Sequence, residues 1–356
     1  MFTPQIVPSD QTDQNDQSSD FLNLPDVVMR DILTKCDLTS IMNLMKVCRA
    51  LHDFIHRSPP TAIAEKLVVY IGDKNVYFCL TIPVSMFIGS FLHWSSENIT
   101  LRIDNHENGC SVWRNRVRSY VKNEDFVSVA CNYLSAMLRR IGTINQFVFK
   151  YLEDRCEYKP SIWDRLKSTF YCSKQPLFQP PSSNEITTRV VDTIEECLQS
   201  RGRLMQVTHL TVGLEEPYPD ILNLFDPIPL KTLKISRPNK YPEINIKRLK
   251  NLDSVTINAD VPNPIQDFFH IRHVELIREN ISDEEFLDIK NRFMNSTSLN
   301  INMEINIKSD RSIVDQVHKL FGPTPKNICW GLQLAKFGTE SLYCYVSSSR
   351  VLFFYQ

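Results

Sequence analysis

Apolar side chains recur at two different periods along this chain, and the change of period divides it. Between Asn23 and His56 the period is helical. Val28, Met29, Ile32, Leu33 and Cys36 make one stripe, Ile41, Leu44 and Met45 a second, and Val47, Cys48, Leu51, Phe54 and Ile55 a third. Leu24-Pro25 opens the first helix, because proline costs nothing in a first turn, where its missing N–H has no partner to lose. Ser58-Pro59-Pro60 ends the block, since two prolines cannot continue a helix and force extended backbone before them. From Lys66 the alternation is that of strands. Residues 66–71 and 76–82 flank Gly72-Asp73-Lys74-Asn75, a hairpin-like turn, and 99–103 and 111–117 predict two more strands around Asn108-Gly109.

Further on, the spacing predicts an amphipathic helix over 125–141, carrying Phe126, Ala130, Leu134, Met137, Leu138 and Ile141. A second, over 185–200, carries Ile186, Val190, Ile194, Cys197 and Leu198. From His209 a short strand pattern repeats at 209–212, 232–235, 254–257 and 273–276, near the lower edge of the leucine-rich-repeat period. Each copy places two apolar side chains on one face. Ser282-Asp283-Glu284-Glu285 then supplies a hydroxyl and acids for the first turn of a helix through Phe293. Strands over 299–307, 328–335 and 343–354 and a helix over 313–320 complete the reading. The spacing is too irregular for a regular solenoid. The fold class is α+β or α/β: a small three-helix bundle, then a larger, irregular leucine-rich-repeat-like open α/β domain. The expected organisation is a disordered start at 1–20, the bundle at 21–58 and the larger domain at 66–356. A Pro- and Ser-rich loop at 173–183 marks a candidate internal break.

Composition narrows the chemistry. The 356 residues carry 40 basic and 41 acidic side chains, a net charge of -1, which speaks against bulk attraction to nucleic acid or acidic lipid. The chain has 9 glycines, and the closest pair, Gly331 and Gly338, is seven apart. No two can share a dinucleotide-binding turn, a phosphate-binding loop or a nucleophile elbow. The 10 cysteines include no C-x-x-C pair, and the polar, acidic start resembles no secretory leader. The thiols therefore read as reduced and mostly buried, in the cytosol or nucleus. Residues 75–96 hold no charge, but Thr81, Pro83, Ser85, Gly89 and Ser90 favour a buried strand followed by a turn or short helix over a membrane span.

Leu24-Pro25, Ile32-Leu33, Ile41, Leu44 and Val47-Cys48-Arg49 resemble, in order and spacing, the F-box pattern of an L-P opening, an I-L pair and a V-C-basic run. Leu51 stands where many F-boxes have Trp, and Ser40 where they often have Asp. The resemblance is closest to the nematode F-box A family, in which an FTH domain follows the box. Asn108-Gly109-Cys110, the helix over 126–141, the strand series and the helix over 282–293 resemble that second domain. The resemblance implies a substrate-recognition subunit of a Skp–cullin–F-box ubiquitin ligase, with no catalytic residue, metal or cofactor of its own. Its implied partners are the Skp adaptor, cullin through that adaptor, and an unidentified protein target. Three helices this short also have more apolar surface than they can hide among themselves. The residues expected at the adaptor are Leu24, Pro25, Val28, Ile32, Leu33, Ile41, Leu44, Val47, Cys48 and Leu51. Any of them can instead be core, since core and interface draw on the same residue types. The alternative is a non-degradative F-box scaffold that regulates a partner such as an RNA-binding protein.

Other constellations compete with bland readings. His52 and His56, at i and i+4 with Cys48 one turn earlier, mimic a zinc-protease helix, but Asp53 stands where the catalytic base is Glu. His270 and His273 diverge if their segment enters a strand. Arg114, Arg116 and Arg118 alternate beside Trp113, Tyr120 and Lys122, as single-stranded RNA binding uses, although a solvated strand face is the commoner origin. Lys231, Lys234, Arg237, Lys240, Lys247, Arg248 and Lys250 form a basic cluster with only Glu243 opposing. These cations are the candidates for holding an acidic or phosphorylated target peptide, with unliganded loop charges as the default.

Overall fold

The computed structural model describes residues 24–36, 40, 44, 47–57, 62–88, 91–106, 108–115, 117–152, 181–201, 204–295, 302–308, 319, 330–337, 340–346 and 350–355. The chain divides into two units, Met1–Pro60 and Thr61–Gln356.

In the first unit, helix α1 spans Asp26–Lys35 and α2 spans Arg49–Arg57. Pro25 stands one place before the helix rather than inside it, and its carbonyl accepts the first-turn bond from the Met29 N–H at 3.0 Å. Cys36 ends α1 by turning to extended backbone. Met29 and Leu33 of α1 meet Leu51 and Ile55 of α2 in a buried core, with Leu24, Cys36, Leu44, Cys48 and Phe54 packed around it. The expected middle helix at 41–45 lies largely outside the described residues, as does the start at 1–20.

In the second unit, the described strands form one open sheet. They are β1 (Ala62–Ile71), β2 (Asn75–Ile88), β3 (Phe91–His106), β4 (Gly109–Arg114), β5 (Val117–Lys122), β6 (Ile141–Tyr151), β7 (Gln206–Gly213), β8 (Thr232–Lys240), β9 (Ser254–Asp260), β10 (His273–Arg278), β11 (Asn302–Ile307), β12 (Trp330–Phe337), β13 (Glu340–Val346) and β14 (Arg350–Tyr355). Their order is β12-β13-β14-β11-β10-β9-β8-β7-β6-β1-β2-β3-β4-β5. The strands from β1 through β6 to β11 are parallel, and antiparallel strands flank them on both sides. The repeated tetrapeptides stand side by side. His209, Thr232, Ser254 and His273 align, and Val212, Ile235, Ile257 and Leu276 align three residues later.

Alternation along each strand gives the sheet two unlike faces. One is apolar. Phe78, Val69, Phe149, Val212, Ile235, Ile257, Leu276, Ile305 and Val351 are directly opposite one another across nine strands, and all are buried. A second buried row runs beside it from Leu80 through Leu67, Phe147 and Leu210 to Phe353. Each such side chain contributes roughly 1.5–3 kcal/mol by leaving water. The helices cover this face. In helix α3 (Phe126–Leu138), Phe126, Ala130, Leu134 and Leu138 are buried, and in α4 (Ser183–Gln199), Ile186, Val190, Ile194, Cys197 and Leu198. From α5 (Asp283–Asn295), Phe293 stacks on Phe353 with ring centroids 5.3 Å apart.

Local chemistry starts these helices. Asp125 caps α3 by accepting from the N–H groups of Val127 and Ser128, and Arg189 of α4 closes on its carboxylate at 2.7 Å. The Ser282 hydroxyl accepts from the Glu285 N–H while the Glu285 carboxylate accepts from the Ser282 N–H, both at 3.1 Å, a reciprocal capping box. Short 3-10 turns join β7 to β8, β8 to β9 and β9 to β10. Here buried Asn263 accepts from the Ile244 N–H at 2.9 Å and donates to its carbonyl at 2.7 Å. The buried Arg278 guanidinium donates to the carbonyls of Val261 and Asn263.

Several elements differ from the expectation. The strand expected over 111–117 is the β4–β5 hairpin, because Asn115 takes a left-handed conformation, φ 53°, and turns the chain. The strand expected over 343–354 is likewise two, β13 and β14, with polar Ser347-Ser348-Ser349 between them in sequence. Helix α3 stops at Leu138, and Ile141 begins β6, a central strand whose apolar run carried no flanking turn signal. Of the uncharged stretch 75–96, residues 75–88 and 91–96 lie in the antiparallel pair β2 and β3. No described helix is long and apolar enough to cross a membrane. The helix expected at 313–320 and most of the loop at 173–183 lie outside the described residues.

Candidate interaction surfaces

The first unit separates its apolar residues into two sets. Leu33 and Leu51, both expected at the adaptor, are buried in the α1–α2 core, because the stripe they share with Met29 and Ile55 is the one through which the helices meet. Leu24, Leu44 and Cys48 are half-buried against that core, and Ile32 is half-buried on α1. Pro25, Val28 and Val47 face solvent, Val28 at 42% and Val47 at 70% exposure. Ile41 lies outside the described residues. Val27, which the sequence reading missed, is more open still at 78%. Its signal was a large apolar side chain standing off the Met29–Leu33 stripe. Asp53 pairs with Arg49 at 3.9 Å, one turn back on α2.

The second surface is the face of the sheet opposite the core. Thr211, Lys234, Thr256, Glu275 and Glu304 lie across it in register on β7 to β11, between the two buried rows. Glu304 is held by Arg350 of β14 at 2.6 Å. On the other side of β7 the same face carries a row of cations and rings. Lys150, Tyr70, Tyr77, Arg102, Trp113 and Arg118 are directly opposite one another from β6 to β5. Tyr70 stacks on Tyr77 with centroids 6.1 Å apart, and the Arg118 guanidinium sits 5.0 Å from the Trp113 ring. Arg102 pairs with Asp104 at 2.5 Å. Burial holds the Tyr77 phenol above its ordinary pKa, so it stays neutral. No local pattern revealed this row, since its six members come from strands spread over residues 62–151.

The structure distributes the basic cluster instead of gathering it. Lys234 stands exposed in the middle of the open face. Lys231 donates to the Asn251 carbonyl and lies 3.7 Å from Asp253. Lys247 and Arg248 are on a 3-10 turn, where Lys247 pairs with Asp267 at 3.0 Å and Arg248 donates to Asn223 at 2.8 Å. Arg237 and Lys240 are on β8, where the backbone of Lys240 stands opposite that of Asp260 after a shift of register. Arg114 and Arg118 fall on separate strands, not on one alternating face, because of the turn at Asn115. His52 and His56 lie on α2. His273 begins β10, while His270 contacts the Leu249 carbonyl at 3.3 Å. No group of three or more His, Cys, Asp or Glu among the described residues could hold a metal ion. Burial pushes the Cys110 thiol up to about 11, which keeps it protonated and inert.

Two protein-family models match the chain: the F-box domain over residues 21–62 and the FTH domain over residues 188–324. The FTH match begins within α4 and takes in β7 to β11. No curated protein and no solved structure matches.

Proposed function

An F-box at 21–62 followed by an FTH domain at 188–324 is the architecture of the F-box A family, and from that premise we propose a substrate receptor that docks through its first unit and holds a target with its second. The F-box implies Skp binding within a Skp–cullin–F-box ligase. The observation that carries the finer reading is the exposure of Val28 and Val47, with Val27 and Pro25, on a unit in which Met29, Leu33, Leu51 and Ile55 pack together in a buried core. Aliphatic side chains left in water at a helix surface gain roughly 1.5–3 kcal/mol each when a partner covers them. Leu24, Ile32, Leu44 and Cys48 support that surface from its edge. Leu33 and Leu51 act from inside, by fixing the angle between α1 and α2.

The reading needs no reactive side chain in this chain. A target held on the second unit gains effective concentration near a ubiquitin-loaded enzyme bound to the same complex. The open sheet face, with Lys234 at its centre, is the surface we assign to the target. Lys231, Lys247 and Arg248, each already engaged on the connections between strands, are left out of that assignment.

Co-purification tests the assignment. The full chain should recover Skp adaptor and cullin, and Val28→Asp with Val47→Asp should recover neither while the melting transition stays in place. Adaptor without cullin would favour the non-degradative scaffold. Undiminished adaptor with the double variant would remove these residues from the contact.

A further inference from the structure

The end of the sheet at β5 shows how a target can be held. Among the described strands β5 is terminal, so one side of its backbone pairs with β4 and the other with no strand. Arg114 and Val117 are paired, with two residues between them in sequence. In such a hairpin the closing residues exchange their hydrogen bonds and the pattern then alternates. Val117, Ser119 and Val121 therefore bond inward to β4. Arg118, Tyr120 and Lys122 aim their N–H and C=O groups outward, and all three are exposed.

Natural sheet edges are blunted by bulges, prolines or brevity. Strand β5 has no proline, and it pairs with β4 residue for residue over its whole length. What it has is charge. Pairing with a second copy of itself in antiparallel register would set Arg118 against Lys122, a like-charge contact that opposes self-association. The same cations favour a strand bearing acids. Two of these side chains are already positioned: Arg118 lies over Trp113, and the Tyr120 hydroxyl meets His106 Nδ1 at 3.2 Å with the rings edge to face. Ordered side chains lose less entropy when a ligand arrives.

We propose that β5 is a docking edge for an extended acidic segment of the target, which adds to the sheet as a further strand in the pattern acid-x-aromatic-x-acid. Its acids meet Arg118 and Lys122, its ring lies beside Tyr120, and its backbone takes the outward groups of residues 118, 120 and 122. The proposal rests on the second unit being the target-binding part, and it names the chemistry of that target.

The test measures binding of labelled acetyl-Thr-Glu-Val-Tyr-Val-Glu-Thr-amide to the full chain by fluorescence anisotropy, with adaptor capture assayed separately. Tyr120→Ala removes the ring alone. Tyr120→Pro also removes the outward N–H, which β4 does not use, and should weaken binding about tenfold further. Arg118→Glu with Lys122→Glu should lose the acidic peptide by about tenfold or more and gain its lysine-for-glutamate counterpart. Should Tyr120→Pro disturb the hairpin, backbone N-methylation of the peptide probes the same bonds with the wild-type chain and should abolish binding. No saturable binding to the wild type overturns the proposal, as does indifference to N-methylation. A single-stranded polyuridine probe that binds and is lost on the Arg118 and Lys122 changes, where the peptide does not bind, replaces a peptide by RNA and also overturns it. Peptide binding lost with adaptor capture intact sinks only this inference. Adaptor capture absent with peptide binding intact sinks only the ligase reading.

Discussion

Replacing Leu33 by Ala and, separately, Val47 by Asp in the full chain asks whether the first unit divides its apolar residues as described. Leu33 is fully buried among Met29, Leu51 and Ile55, so truncation removes its burial and leaves a void that two short helices can only partly close. Such changes cost about 2–5 kcal/mol, much of what a unit this small can possess. Val47 is 70% exposed, and its replacement should shift stability of the free chain by no more than about 0.5 kcal/mol. In the complex the order reverses. Losing a covered valine forfeits about 1–2 kcal/mol, and forcing a carboxylate into that contact adds about 1–3 kcal/mol. Adaptor affinity should then fall on the order of 30- to 4,000-fold. Hydrogen exchange of α1 and α2 within the full chain reads the first effect, and calorimetric titration with purified Skp adaptor reads the second. Leu33→Ala should raise exchange throughout both helices, whereas Val47→Asp should leave it unchanged and abolish the titration heat. Unchanged exchange in Leu33→Ala, or undiminished affinity in Val47→Asp, would refute the division into core and contact.

Three further outcomes follow from the second unit. Burial alone would raise the Asp125 pKa, but the N–H groups of Ser128 and Val127 and the Arg189 guanidinium outweigh it and hold the carboxyl below its ordinary value. A depressed folded pKa means stability present above the unfolded pKa and lost as pH falls through the folded one. Asp125→Ala should therefore cost about 1–2 kcal/mol at neutral pH, with the difference from wild type closing in acid denaturation curves as pH falls below the ordinary carboxylate range. Gly109 adopts φ +142°, and a Cβ there would lie 2.1 Å from the Val121 carbonyl oxygen. Gly109→Ala should open the β4–β5 hairpin, seen as amide exchange confined to β4 and β5, while the core strands stay protected. Arg278→Met keeps an apolar stem but leaves the buried carbonyls of Val261 and Asn263 without that donor. A fall of about 2–4 kcal/mol in urea denaturation is expected. A melt equal to wild type would show that water replaces the guanidinium.

Much of the architecture is written locally. The heptad-like stripes at Met29 and Leu33 and at Ile186, Val190 and Ile194 specify helices, and Asp125 and Ser282 specify where two others begin, because capping needs only neighbours along the chain. The tetrapeptides beginning at His209, Thr232, Ser254 and His273 already contained the register of four parallel strands, since equal patterns burying equal faces can align in only one way. Other features arise only when distant segments meet. Leu33 and Val28 are both aliphatic residues of α1, and which of them faces inward depends on where α2 presents Leu51 and Ile55. The place of β6 between β1 and β7, and the row from Lys150 to Arg118, depend on pairings between segments tens of residues apart. Period and capping are properties of a single stretch of backbone and can be read from it. Partition between core and contact, and the company a side chain keeps across a sheet, are properties of long-range packing, which no single stretch contains.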